Sequence, residues 1–172
     1  MSLRSPRTWG LQPWLVVLGA ALLGVACGVL WEWLWEPPVG TVMNGTLHLD
    51  GAGLRSAFAG TGTYVLIAVV AGLLLGAVVA LVPSRDEVVT LLALVVGSVL
   101  AGWLMMVVGH ALGPPDPEPR AEQLQDLEQL PGDLKAPGSA WVAFPSGALV
   151  GSLVVWWTVP RRSVDRDADS VR

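Results

Sequence analysis

The chain has 172 residues, of which 53% are hydrophobic and only 14% charged, with a formal net charge of −4 at pH 7. A soluble domain carries about 25% charged residues, so composition argues against a single water-soluble core. The negative balance and the lack of a basic stripe exclude nucleic acid as a partner, and one cysteine, Cys27, leaves no disulfide or cysteine-zinc framework within the chain.

The hydrophobic residues fall into four blocks, 14–35, 64–82, 88–112 and 141–159, with no Asp, Lys or Arg inside them. Each has roughly the 17–25 residues needed to cross the hydrocarbon of a bilayer. Backbone in lipid must satisfy its own hydrogen bonds, so helices are expected. Runs rich in Leu, Ala and Gly do not alternate as barrel strands do. The expectation is an all-α membrane protein, a four-transmembrane-helix bundle forming one domain over 1–159, with a disordered cytoplasmic tail at 160–172.

Arg4 and Arg7 precede the first block. Gly24-Val25-Ala26 before Cys27 resembles a signal cleavage site. The apolar run continues to Trp35, however, and a lipoprotein signal wants a larger aliphatic than Gly24, so a retained span is the better reading. The block ends in WEWLWEPP, where Glu32 and Glu36 share one helix face. Glu36 falls at the water boundary; Glu32 lies one turn, about 5 Å, deeper, with His110 as its candidate partner. Trp31, Trp33 and Trp35 are expected at headgroup depth as an outer aromatic belt that Trp141 continues, with Trp156 and Trp157 forming the inner one. Pro37-Pro38 ends the helix.

Asn44-Gly45 between β-prone flanks predicts a two-residue hairpin over 41–49, because both residues tolerate positive φ. Asn44-Gly45-Thr46 also fits a glycosylation acceptor; in a bacterial chain the turn explains it better. The second block leads through the short PSRDE turn into the third, as an antiparallel helix hairpin. GPPDPEP at 113–119 is too rich in proline for helix. Residues 120–130 read as a short amphipathic helix, with Leu124, Leu127 and Leu130 on one side, stopped by Pro131-Gly132. It either covers the bundle or docks a partner.

Arg4, Arg7, Arg85, Arg161, Arg162, Arg166 and Arg172 would share one side of the membrane, against Arg55, Arg120 and Lys135 on the other. The richer side is cytoplasmic by the positive-inside rule, which places both termini inside and the loops 36–63 and 113–140 outside. Lys135 and Ile67 are the sole members of their types, a bias of high-GC bacterial genomes.

Small residues recur four apart: Ala20, Gly24 and Gly28; Ala68, Gly72, Gly76 and Ala80; Ala93 and Gly97, then Ser98 and Gly102; Gly147 and Gly151. Such stripes let helix backbones approach closely. They serve either packing within the bundle, the favoured reading, or a homo-oligomer interface.

No nucleophile elbow, Walker A loop or dinucleotide fingerprint is present. His48 and His110 lack a second histidine at ligand spacing, so no metal or other cofactor is expected. Glu32, Glu36, His110 and Asp116 should lie near the outer interface and are the candidate functional polar residues. The midplane holds no ionisable residue, which disfavours an ion-coupled transporter with a buried carboxylate.

The first span ending Trp35-Glu36-Pro37-Pro38-Val39-Gly40, the paired helix hairpin, the Pro- and acid-rich loop and a last span opening Phe144-Pro145-Ser146-Gly147-Ala148 together resemble a small actinobacterial family of integral-membrane proteins known only as a domain of unknown function. The resemblance covers residues 12–158. It implies an inner-membrane location and four helices, and supplies no catalytic residues. The first functional expectation is a non-enzymatic accessory or scaffold protein of the cell envelope, its partners being the lipid bilayer and another membrane or envelope protein met through the outward loops. The alternatives are a small oligomeric transporter or channel, or an envelope enzyme using Glu32 and Glu36.

Overall fold

A computed structural model of the chain describes residues 11–84, 86–121, 123, 127–134, 136 and 138–159. The elements in order are α1 (Leu11–Leu34), β1 (Val39–Met43), β2 (Thr46–Leu49), α2 (Gly51–Leu81), α3 (Glu87–Leu112), α4 (Glu118–Ala121), β3 (Gln129–Pro131) and α5 (Ala143–Thr158), the last entered through a 3-10 turn at Ala140–Val142. Among the described residues, four helices are long and apolar enough to cross a membrane. The expected tail, 160–172, lies outside the described residues.

Burial is inverted relative to a water-soluble bundle. Ala20, Ala68, Ala101 and Ala148 are fully buried, whereas Leu22, Leu66, Leu74 and Leu153 are more than half exposed. Small side chains face the other helices and large aliphatics face outward. That arrangement suits a solvent as apolar as leucine, where association comes from close packing and not from burying oil.

The glycine stripes select the helix pairs. α1 packs chiefly on α3, and α2 on α5. A methyl added at Gly28 would come 2.8 Å from the Met105 carbonyl oxygen, and one at Gly97 3.0 Å from Ala20 Cβ. One at Gly24 would collide with the Ala101 backbone. Contact positions climb together along both helices, so α1 and α3 run parallel. The α2–α5 seam is parallel too: Val69 lies against Gly147 as Phe144 lies against Gly72, and Leu73 against Gly151 as Ala148 against Gly76. Equivalent positions of the two helices thus exchange roles across the seam. Gly102 instead faces the Trp141 carbonyl at the entry to α5, which gives α3 a second small-residue face and lets it bridge the two pairs.

This changes the expected helix hairpin. α2 and α3 are antiparallel across their short turn but touch little, because their small-residue faces are committed to α5 and α1. Gln12 Nε2 donates to the Pro83 carbonyl (3.1 Å), so the start of α1 and the α2–α3 turn share one end of the bundle. The sheet occupies the other.

Two further expectations are corrected. The second span begins at Gly51, not near Tyr64, as a 31-residue helix about 46 Å long. Asp50 starts it, its carboxylate accepting from the amides of Ala52 (3.1 Å) and Gly53 (2.7 Å), the N-cap role of an aspartate. The glycines that make 51–63 a poor helix by propensity are what let it pack: Gly53 lies against Leu49 and the Val39 carbonyl, and Gly60 against the Trp35 indole.

The other correction concerns 120–130. Among the described residues of this segment, helix is limited to Glu118–Ala121, and Gln129–Pro131 is a strand. The expected helix's Leu124 lies outside the described residues, while Leu127 adopts φ 78°, which ends any helix there. The strand wins because the edge of β1 needs a partner: the Val42 amide donates to Glu128 O and the Leu127 amide to Val42 O, both at 2.9 Å. Leu130 then buries against Val42 and Ala121. The sheet has order β2-β1-β3, antiparallel throughout. Its β1–β2 turn is the expected one, with Asn44 and Gly45 at φ 53° and 72°, both positive as the two-residue hairpin requires. Loops separated in sequence by the whole of α2 and α3 (36–50 and 113–139) are thereby woven together, with the Gly132 amide donating to Pro38 O at 2.7 Å.

Candidate functional site

The sheet end concentrates the aromatic and ionisable side chains. Trp31 sits on the last turn of α1 and is fully buried. Its indole Nε1–H donates to the Gly60 carbonyl of α2 at 2.9 Å. Its ring meets Tyr64 edge-on, with centroids 4.9 Å apart and planes at 75°, a favourable quadrupolar arrangement. Tyr64 Oη–H donates to Gly102 O of α3 at 2.8 Å. Gly109 leaves room for the indole, since a methyl there would strike its six-membered ring. Three helices are thus clasped through two hydrogen bonds and one ring contact, and Cys27 lies buried in the same cluster. Among the described residues no buried side-chain nitrogen or oxygen lacks a partner.

This overturns the place assigned to Trp31 in the outer belt: it faces the bundle, not the headgroups. Trp33 does project outward, 77% exposed, and Trp35 is half-buried beside Gly60. Trp141, Trp156 and Trp157 are exposed near the two ends of α5. The clasp was missed because Trp and Tyr at a span's end ordinarily signal an interface. A signal was nevertheless present: Trp31 continues the stripe Ala20, Gly24, Cys27 at three- and four-residue steps, so it shares the packing face.

His110 is exposed. Its Nδ1–H donates to the Met106 carbonyl at 2.9 Å, and its ring approaches Trp31 edge-on at 6.2 Å. Glu32 is half-buried and Glu36 exposed. Among the described residues no hydrogen bond or ion pair joins Glu32 to His110, so the candidate partnership is not formed; the histidine is held by its own helix and by Trp31. Asp116 accepts from the Glu118 amide at 3.2 Å and caps α4. His48 lies on the sheet, where the Thr46 hydroxyl donates to Met43 O (2.8 Å) and so accepts from His48 Nε2–H (3.0 Å). No group of three or more His, Cys, Asp or Glu side chains that would hold a metal occurs among the described residues. The candidate polar residues therefore share one end of the molecule without converging.

The eight glycines singled out for helix packing, Gly24, Gly28, Gly72, Gly76, Gly97, Gly102, Gly147 and Gly151, each lie against another segment of the same chain. Comparison with protein-family models, with curated proteins and with solved structures gives no match.

Proposed function

We propose that the chain is a multi-pass protein of the bacterial plasma membrane acting as a non-enzymatic accessory or scaffold of the cell envelope, its termini cytoplasmic and its sheet facing out. The four apolar helices are compatible with an integral membrane protein. The finer reading rests on one observation: two distant loops join into a three-stranded sheet fixed on the helix ends, which presents a preformed face. Val39 and Met43 of β1 are about half exposed there, flanked by Thr41, Thr46 and His48. Preformed strands lose less conformational entropy on binding than free loops do. The Arg distribution supports the orientation, and the filled interior around Tyr64, Met105 and Phe144 supports a static bundle over a single-chain pore.

A photo-crosslinking amino acid placed in living cells at Met43, and separately at lipid-facing Leu74, tests this reading. It expects one reproducible protein adduct at Met43 that is missing at Leu74. Lipid adducts alone at both positions would sink it, and ion flux through proteoliposomes of the pure protein would favour a channel.

A further inference from the structure

The chain repeats itself. Pro37-Pro38, just after α1, stands 77 positions before Pro114-Pro115, just after α3. VPSR at 82–85 stands 77 positions before VPRR at 159–162. GLLLGA at 72–77, in α2, stands 75 positions before GALVGS at 147–152, in α5. Each proline pair follows the end of a helix, where a missing amide donor stops it continuing, and each glycine pair prepares a close helix contact. One such match would carry little. Three in the same order, at nearly the same spacing, define two units: α1 with α2, and α3 with α5.

Folding brings the two units together as two-fold mates. α1 meets α3 level by level: Gly24 lies against Ala101, Gly28 against Met105 and Gly97 against Ala20, each pair again 77 positions apart. Across the α2–α5 seam the match extends to atoms. A methyl added at Gly72 meets the Phe144 carbonyl oxygen and the Ala148 nitrogen, and one at Gly147 meets the Val69 carbonyl oxygen (2.6 Å) and the Leu73 nitrogen (3.2 Å). One at Gly76 meets the carbonyl group of Ala148, and one at Gly151 that of Leu73. Advancing the α2 residues by 75 positions turns each contact into the other. That is the rule of an isologous interface, where residue i touches j and j touches i. The mated helices are parallel, so the axis relating them runs along the bundle, as in membrane proteins built from parallel repeats. Within the units, likewise, α1 touches α2 and α3 touches α5. The likeness stops at the sheet end, where the first unit supplies the β1–β2 hairpin and the second supplies α4 and β3.

We infer that the chain is a tandem duplication of one helix–loop–helix unit, and that the seam face of each unit is a docking surface for another copy of that unit. In the folded chain the two copies occupy each other. Because the contacts are reciprocal, the α2 face also fits the α2 face of a second chain, with Gly72 against Val69 and Gly76 against Leu73. A seam between two unlike faces would have no such second partner: spoiling one face would leave the other with nothing to pair with.

The test uses the full chain in mild detergent. Gly72→Ala and Gly147→Ala are mates, as are Gly76→Ala and Gly151→Ala. Within each pair the falls in melting temperature are expected to agree to about 3 °C, since equal obstructions meet equal atoms. The variant carrying both Gly147→Val and Gly151→Val spoils the α5 face and releases that of α2. Native mass spectrometry is expected to find it at twice the wild-type assembly mass, and to find the doubling abolished when Gly76→Val is added. A release variant that keeps the wild-type mass, a doubled mass that survives Gly76→Val, or unequal falls within either pair of mates overturns the inference. If the release variant does not fold, the two pairs of mates decide alone.

Discussion

Between α2 and α5 the contacting surfaces are bare backbone: Gly72 and Gly76 face the Phe144–Ala148 turn, and Gly147 and Gly151 face Val69 and Leu73. At the sheet end, α1, α2 and α3 meet instead through an indole, a phenol and two carbonyl acceptors. The first seam gains from many weak dispersion contacts, each about 0.1–0.2 kcal/mol, and depends on having no side chain in the way. The second fills space with aromatic rings and depends on satisfying the N–H and O–H they bring. The difference teaches that one bundle tolerates added volume nowhere along the α2–α5 seam, and tolerates lost volume poorly at the clasp.

The sharpest way to break the first region is Gly76→Val, which drives side-chain carbon into the Ala148 carbonyl. Overpacking of this kind costs about 3 kcal/mol, and the expected outcome is a fall in melting temperature of roughly 10 °C in mild detergent. Gly62→Ala is the contrast: nothing lies within 4 Å of its added methyl, so the chain should hold or gain up to about 1 kcal/mol from helix propensity. Equal damage from both would refute the seam as the cause.

At the clasp, Trp31→Leu removes ring volume and the bond to Gly60. A loss of about 2 kcal/mol is expected from the cavity and the missing hydrogen bond, read from the same melting curves. A wild-type melting temperature would mean that the ring faces lipid after all. Tyr64→Phe keeps the ring and deletes only the bond to Gly102; the expected cost is about 0.6 kcal/mol, the average for such bonds between membrane helices. Smallest of all is the coupling of Glu32 and His110. A double-mutant cycle of Glu32→Gln with His110→Gln should give an interaction energy within about 0.5 kcal/mol of zero, as for residues with no shared bond. A larger value would restore the pair.

Much of the architecture was legible. The four apolar blocks, the small-residue stripes and the Asn44-Gly45 turn all rest on local rules, namely span length, spacing and positive φ, and each has its counterpart in the fold. The candidate site was legible only as a neighbourhood. Glu32 and His110 do approach the same end, yet a histidine's hydrogen bond to its own helix at Met106 and its contact with Trp31 are not written in spacing. Residues 120–130 misled because Leu124, Leu127 and Leu130 repeat at helical intervals, while the partner that makes 129–131 a strand, the edge of β1, lies far upstream.

By itself, then, the sequence determined the building blocks: helices long and apolar enough to cross a membrane, and small faces on which to pack. Only the tertiary structure decided which faces met. A stripe such as Gly72-Gly76 is compatible with any other small-residue stripe, and the choice of α5 over α3 depends on three-dimensional fit between whole helices. The same competition buried Trp31, extended α2 to Gly51, turned 129–131 into a strand, and left two helices joined by a short turn with no remaining face to share.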